Sequence, residues 1–207
     1  RILDAAEKGD KDSLKSLFSK RLTETQLEIQ RLKKIEEILL DKEKSLEILY
    51  VRTTEPVIKT VPKLRVLSRR EIGSFSIVPR LIGELIQEIA SPPNQRNLVK
   101  ISGPIMYICH DTEFKETDAT IEIAIPVSGR VTVQFSEIEL KNIPGGRVIS
   151  VIYTGPYHEI NQAYTRVFEF AMKEDYEIRG PCVELYLNNP QETPEEELLT
   201  EIQIPIK

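Results

Sequence analysis

Residues 122–127, Glu-Ile-Ala-Ile-Pro-Val, return at 201–206 as Glu-Ile-Gln-Ile-Pro-Ile, an offset of 79 (201 − 122). Two further stretches repeat upstream of them. Lys63-Leu64-Arg65-Val66 through Gly73 reads against Gly145-Gly146-Arg147-Val148 through Gly155 at an offset of 82 (147 − 65). Ser102-Gly103-Pro104 reads against Arg179-Gly180-Pro181 at an offset of 77 (180 − 103). A drift of a few residues is what loop insertions and deletions leave behind, and surface connections tolerate them. A period this long, occurring twice, is not a solenoid repeat. The last two thirds of the chain therefore form a duplicated domain, and the seam between its halves is the first place to look for a site.

Hydrophobic spacing fills in each half. A strand at 64–71 leads through Gly73 to a helix from Pro79, a residue favoured in the first helical turn, and RLIGELIQEIA ends at Ser91-Pro92-Pro93. Strands follow at 104–110 and 119–127. The second half repeats the pattern with a strand at 146–154, a helix at 157–173 and strands at 182–188 and 199–206. A short extra strand at 131–140 falls at the seam. The predicted class is α+β, two βαββ units in one antiparallel sheet with helices on one face. By alternation Val183, Leu185 and Leu187 should meet the helices, as should Ile202, Ile204 and Ile206. Cys182, Glu184 and Tyr186, with Ile105, Tyr107 and Cys109 of the first half, should line the open face.

Ahead of the duplicated region, 64–207, lie residues 1–50 and a segment at 51–63 (VRTTEPVIKTVPK) that reads as a semi-extended linker or an edge strand. Gly9 stops a first short helix and Asp12-Ser13 caps a second, which meets no Gly or Pro before Pro56. Phe18, Leu22, Thr25, Ile29, Leu32 and Leu39 follow the four–three spacing of a coiled-coil seam, interrupted at Glu36. Such a helix would be about 55 Å long and cannot bury its stripe alone. The expectation is a homodimer through Phe18, Leu22, Ile29, Leu32 and Leu39, with a helix folded back on its own globular domain as the alternative.

Charge divides the chain unevenly. Residues 1–50 are neutral, with 11 basic and 11 acidic side chains, whereas 64–207 carry 14 basic and 21 acidic. An acidic domain suits cationic ligands and mismatches nucleic acid. No apolar run approaches the roughly 20 residues of a membrane span, and no signal peptide is visible, so a cytoplasmic protein is expected. Cys109, Cys182, His110 and His158 lack metal-ligand spacing, and neither metal nor cofactor is expected.

The expected open face carries Tyr107, Tyr153, Tyr186 and Glu184, with Tyr157 at the rim. Aromatic faces with one carboxylate are the ingredients for holding an organic cation. A carboxylate against apolar walls is costly to leave charged and unpaired, a bound cation offsets that cost, and burial should raise the carboxyl pKa. The residues leave a plainer alternative open: Glu184 as a solvated strand carboxylate, and the tyrosines as caps of the core.

ISVIYTGPY at 149–157, GPCVELYLNNP at 180–190 and TEIQIPI at 200–206 resemble the GyrI-like effector-binding domain over about 64–207. ILDAAEKGD at 2–10 and the stretch LKSLFSKRLTETQLEIQRLKKIEEILL resemble the short helix and long dimerisation helix that follow the winged helix of MerR-type activators. The two occur in this order in multidrug-sensing MerR regulators. The resemblance implies a GyrI-like (SHS2-type) sheet of two pseudo-symmetric units, preceded by a long coiled-coil helix, with the ligand at the interface of the units. It also implies a buried acidic residue at Glu184 and aromatic walls at Tyr153 and Tyr186, more loosely at Tyr107, Tyr157 and Tyr164. The implied function is the ligand-sensing and dimerisation portion of a MerR-type transcription regulator. It would bind a lipophilic, cationic, aromatic small molecule and reach DNA only through a head absent from this chain. Some members of the superfamily are hydrolases that use a pocket Glu and Tyr. Glu184 as general base with Tyr107 or Tyr153 as donor is thus the alternative, although no nucleophile–base–orienter set is visible.

Overall fold

The computed structural model describes residues 52–111, 115 and 117–207, together with Phe18, Leu22 and Thr25. These three are helical, with Phe18 and Leu22 exposed. Ile29, Leu32 and Leu39, and with them most of the expected coiled-coil seam, lie outside the described residues.

Among the described residues, nine strands form one curled antiparallel sheet, a half-barrel carrying a few helices. They are β1 (Val57–Val61), β2 (Leu64–Gly73), β3 (Lys100–Ile101), β4 (Ile105–Cys109), β5 (Ala119–Ser128), β6 (Ile138–Ile143), β7 (Gly146–Thr154), β8 (Cys182–Tyr186) and β9 (Leu199–Pro205). Their order is β1-β7-β9-β8-β4-β5-β2-β6, with β3 on β5. The helices are α1 (Val78–Ile89), α2 (Pro92–Arg96) and α3 (Asn161–Lys173). One unit is β2-α1-β4-β5, the other β7-α3-β8-β9, and β4 and β8 join them at the centre of the sheet.

Two edge strands extend the duplication. Lys141 on β6 pairs with Val66 on β2, and Lys59 on β1 pairs with Val148 on β7, the equivalent position. Residues 57–61 are thus an edge strand, one of the two readings open for that segment. The extra strand expected at 131–140 is instead β6 at 138–143, at the outer edge of the first unit and away from the seam.

The helices bury residues at helical spacing: Leu81, Leu85 and Glu88 on α1, and Ala163, Val167 and Ala171 on α3. Under α1, Leu81 and Leu85 meet Leu67, Ile121, Ile123 and Ile125; under α3, Ala163, Val167 and Ala171 meet Ile149, Val151, Ile202 and Ile204. Cross-strand partners share a face of the sheet. Glu184 pairs with Ile202, so Glu184, and with it Cys182 and Tyr186, points to the helix side.

That pairing reverses the expected phase of β8. Val183 and Leu185 do not meet the helices but join Val66, Met106, Ile108 and Ala124 in a buried cluster on the reverse face. Leu187 lies beyond the end of β8, at the rim of the helix side. Val183 and Leu185 do alternate with Cys182, Glu184 and Tyr186, but both sides of β8 are buried, so apolarity alone cannot say which side carries helices.

The reverse face also repeats a buried ionic cluster. Glu122 accepts hydrogen bonds from Ser68 Oγ and Arg70 Nε (2.9 Å), lies 2.6 Å from His110 Nε2 and pairs with Lys141. Glu201 accepts from Ser150 Oγ and Gln203 Nε2, both at 2.7 Å, and pairs with Lys59 at 2.5 Å. Ser68 and Ser150, Glu122 and Glu201, and Lys141 and Lys59 are duplicates of one another. Burial opposes ionisation of both carboxyls, but these donors overcome it, holding Glu122 down at about 2 and Glu201 below its ordinary value.

Candidate functional site

A cleft of about 1760 Å³ opens between α1 and α3, with β4 and β8 as its floor. Its walls are the duplication in miniature. Phe75, Val78, Ile82 and Ile86 line one side, and at an offset of 82 (157 − 75) Tyr157, Ile160, Tyr164 and Phe168 line the other. The first set is wholly apolar, whereas the second brings two phenols. On the floor, Tyr107 stands directly opposite Glu184, and Cys109 opposite Cys182.

Backbone constraints aim the wall residues. Gly155 has φ +140°, and a Cβ there would approach Tyr153 Oη to 2.8 Å, so only glycine fits. Pro156 then opens the short 3₁₀ turn Tyr157–Glu159, which presents Tyr157 to the cleft. Arg52 ties that turn down through Glu159 (2.6 Å) and reaches Glu196 at 2.7 Å. Arg166 on α3 donates to Thr53 O at 3.0 Å and pairs with Glu55 at 2.5 Å.

Glu184 is 7% exposed. Tyr164 Oη donates to its Oε1 at 2.7 Å and Tyr186 Oη to its Oε2 at 3.4 Å. Among the described residues no basic side chain pairs with it. Burial pushes its pKa up to about 7 even though both phenols favour the charged form. This separates it from Glu122 and Glu201, whose lysines hold them ionised.

Burial also raises the phenols of Tyr107, Tyr157, Tyr164 and Tyr186, so at neutral pH they act as hydrogen-bond donors. Aromatic contacts frame the carboxyl. Tyr157 meets Tyr186 edge-on at 5.2 Å, Phe75 meets Tyr107 edge-on at 5.6 Å, and Tyr164 stacks with Phe168 at 6.3 Å.

The structure brings together Tyr107, Tyr157, Tyr164, Glu184 and Tyr186 at the cleft, but not Tyr153. Tyr153 is fully buried under α3, and its hydroxyl donates to Pro156 O at 3.2 Å. Its strand, β7, is separated from β8 by β9, so it faces the helix side yet lies beneath the helix and not beside the cleft. Sequence reasoning missed Phe75, Ile82, Ile86 and Phe168. The signal was present, because the offset of 82 maps three of them onto Tyr157, Tyr164 and Phe168. Among the described residues no cluster of three or more His, Cys, Asp or Glu could hold a metal. No described helix is long and apolar enough to cross a membrane.

The GyrI-like small molecule binding domain family matches residues 54–207. Among curated proteins no sequence matches the chain. Among solved structures, the chain is similar to the EcmrR C-terminal domain at 25% identity and a TM-score of 0.66, over 74% of this chain and 97% of that one. It is similar to EcmrR in its complex with DNA at 23% identity and 0.67, over 100% of this chain and 76% of that one. A hydrolase encoded by lin2189 from Listeria innocua is similar at 16% identity and 0.60, over 80% of this chain and 98% of that one. The last two likenesses show the fold alone.

Proposed function

The chain belongs to the GyrI-like small molecule binding domain family, and on that premise we propose that it is the ligand-sensing part of a MerR-type transcription regulator. Its cleft takes a lipophilic, cationic, aromatic small molecule over Glu184. The observation that carries this reading is a buried carboxyl whose partners among the described residues are two phenols and no cation. An ionised carboxylate there is poorly compensated, so without a cation beside it the carboxyl keeps its proton up to about pH 7. A cation entering the cleft favours the charged form, and the rings of Tyr107, Tyr157, Tyr164 and Tyr186 present π-faces and apolar area to it. Affinity for a cation is therefore coupled to loss of the carboxyl proton.

Two features support sensing over turnover. The identity to the EcmrR C-terminal domain is higher than that to the Listeria hydrolase. The segment leading into the domain, Arg52–Glu55, is held by Arg52 and Arg166 to the turn and helix that carry Tyr157 and Tyr164. Occupancy of the cleft thus bears on elements tied directly to the chain arriving from residues 1–50. In this reading that region forms a homodimer, and the ligand signals by preferring one arrangement of it.

Thermal denaturation with benzyltrialkylammonium cations and their uncharged isosteres tests the proposal. The cations should raise Tm of the wild type, and Glu184→Gln should abolish the rise. Equal stabilisation by the uncharged isosteres would sink the cationic reading. Turnover of the hits would favour the hydrolase alternative.

A further inference from the structure

Cys109 ends β4 and Cys182 begins β8, and the two are direct partners in the antiparallel register. Their side chains therefore leave the sheet on the same face, where both line the cleft. Direct partners hold their Cβ atoms about 4.5–5.5 Å apart, close enough for two sulfurs to reach one atom between them. Both are free, half-buried thiols, and they are the chain's two cysteines. Cys109 Sγ makes a long contact of 3.7 Å to Asp111 O and hydrogen-bonds the Tyr107 hydroxyl, both neutral partners that an incoming soft ligand can displace. Binding an organic cation needs π-faces and a carboxylate and makes no use of these sulfurs.

We propose that Cys109 and Cys182 form a dithiol site on the cleft floor for a soft Lewis acid that takes two sulfur ligands, of the type of a monosubstituted arsenic(III) compound. Thiol ligands select soft acceptors over hard cations such as magnesium or calcium. Among the described residues no third metal-ligating side chain completes a cluster, so an ion that demands four protein ligands is not served. An arsenic(III) centre needs two sulfurs and brings its own third substituent. The apolar walls of the cleft, Ile82, Ile86 and Phe168 among them, suit an aryl group in that role.

The exchange balances without an oxidant. Two As–O bonds of a hydrated R–As(OH)₂ break and two As–S bonds form. Each thiol proton leaves with a hydroxide as water, and arsenic remains trivalent. Burial raises both thiols, that of Cys182 to about 12, so at neutral pH both are protonated and slow to oxidise. The inference rests on the β4–β8 register and not on the cation reading.

The experiment uses the full chain and phenylarsine oxide, followed by native mass spectrometry and competition. One phenylarsenic per chain is expected, stable to excess glutathione and stripped by 2,3-dimercaptopropanol. Cys109→Ser and Cys182→Ser should each weaken binding on the order of 100-fold, because each loses the intramolecular second bond. Cys109→Ala and Cys182→Ala repeat the test should serine disturb the cleft, with circular dichroism reporting the fold. Glu184→Gln should keep the arsenical while losing the cations, so the two readings fail separately. A single-cysteine variant that binds as tightly as the wild type, stripping by glutathione, or no adduct would each overturn the dithiol site.

Discussion

Tyr107 on β4 stands directly opposite Glu184 on β8, and the two occupy the same position of the duplicated unit, 77 residues apart (184 − 107). In an antiparallel pair related by a two-fold, a residue faces its own equivalent only at the axis. The pseudo-dyad of the domain therefore passes between a phenol and a carboxyl. Backbone symmetry holds across the cleft and chemical symmetry does not. Glu184 draws both hydroxyl partners, Tyr164 and Tyr186, from the second unit, while the matching wall of the first unit is aliphatic at Ile82.

Stability should fall with rising pH on account of Glu184. Its folded pKa of about 7 lies above the ordinary carboxyl value, so between those two limits the folded state binds more protons than the unfolded. The burden is absent below the unfolded pKa and fully present above about pH 7, where it is on the order of 3 kcal/mol. Glu184→Gln should flatten Tm against pH between 5 and 8 and exceed the wild type at pH 8. A parallel pair of pH profiles would remove the assignment.

Tyr164→Phe deletes the 2.7 Å donor to Glu184 Oε1, a bond that favours the charged carboxyl. The Glu184 titration, followed by carboxyl ¹³C chemical shift, should move to higher pH. Cation affinity at pH 7 should weaken accordingly, with a stability loss of about 1 kcal/mol.

Tyr153→Phe separates core from cleft. It removes the hydroxyl bond to Pro156 O and should cost about 1 kcal/mol in urea denaturation. Because Tyr153 lies under α3, ligand affinity should stay within about two-fold of wild type. A tenfold loss would return Tyr153 to the binding wall.

Lys141→Met strips a cation from Glu122 on the reverse face and should cost about 2 kcal/mol, since Arg70, Ser68 and His110 still hold the carboxylate. The folded pKa of Glu122 is depressed, so its contribution is present above the ordinary carboxyl value and lost as pH falls toward about 2. The variant should therefore approach wild-type stability in acid, which acid-titrated calorimetry reads directly. Cation binding should not change, because the sheet lies between this cluster and the cleft.

Much of the fold and part of the site are legible in the linear pattern. Strands β2, β7 and β9 and both longer helices stand where period-two and period-3.6 spacing place them, because backbone geometry and side-chain direction are local properties. Glu184 is conspicuous for a related reason: it breaks a repeat that otherwise keeps Gly103/Gly180 and Pro104/Pro181. Phe75, Ile82 and Ile86 were legible in principle, as duplicates of Tyr157, Tyr164 and Phe168, once the offset was carried along the helices and not only along the strands.

Three features depend on strands distant in sequence. The phase of β8 follows from the pairing of Glu184 with Ile202, since Val183 and Leu185 are buried as well and leave no polar side to read. Tyr153 differs from Tyr186 because β9 separates β7 from β8, which puts one under a helix and the other in the gap between helices. Cys109 and Cys182 lie 73 residues apart (182 − 109) and become neighbours through the β4–β8 register alone. Alternation and repetition are written along one chain and can be read there. Neighbourhood across a sheet is fixed by register and strand order, which are settled only when all the strands have paired and both faces of the sheet are packed.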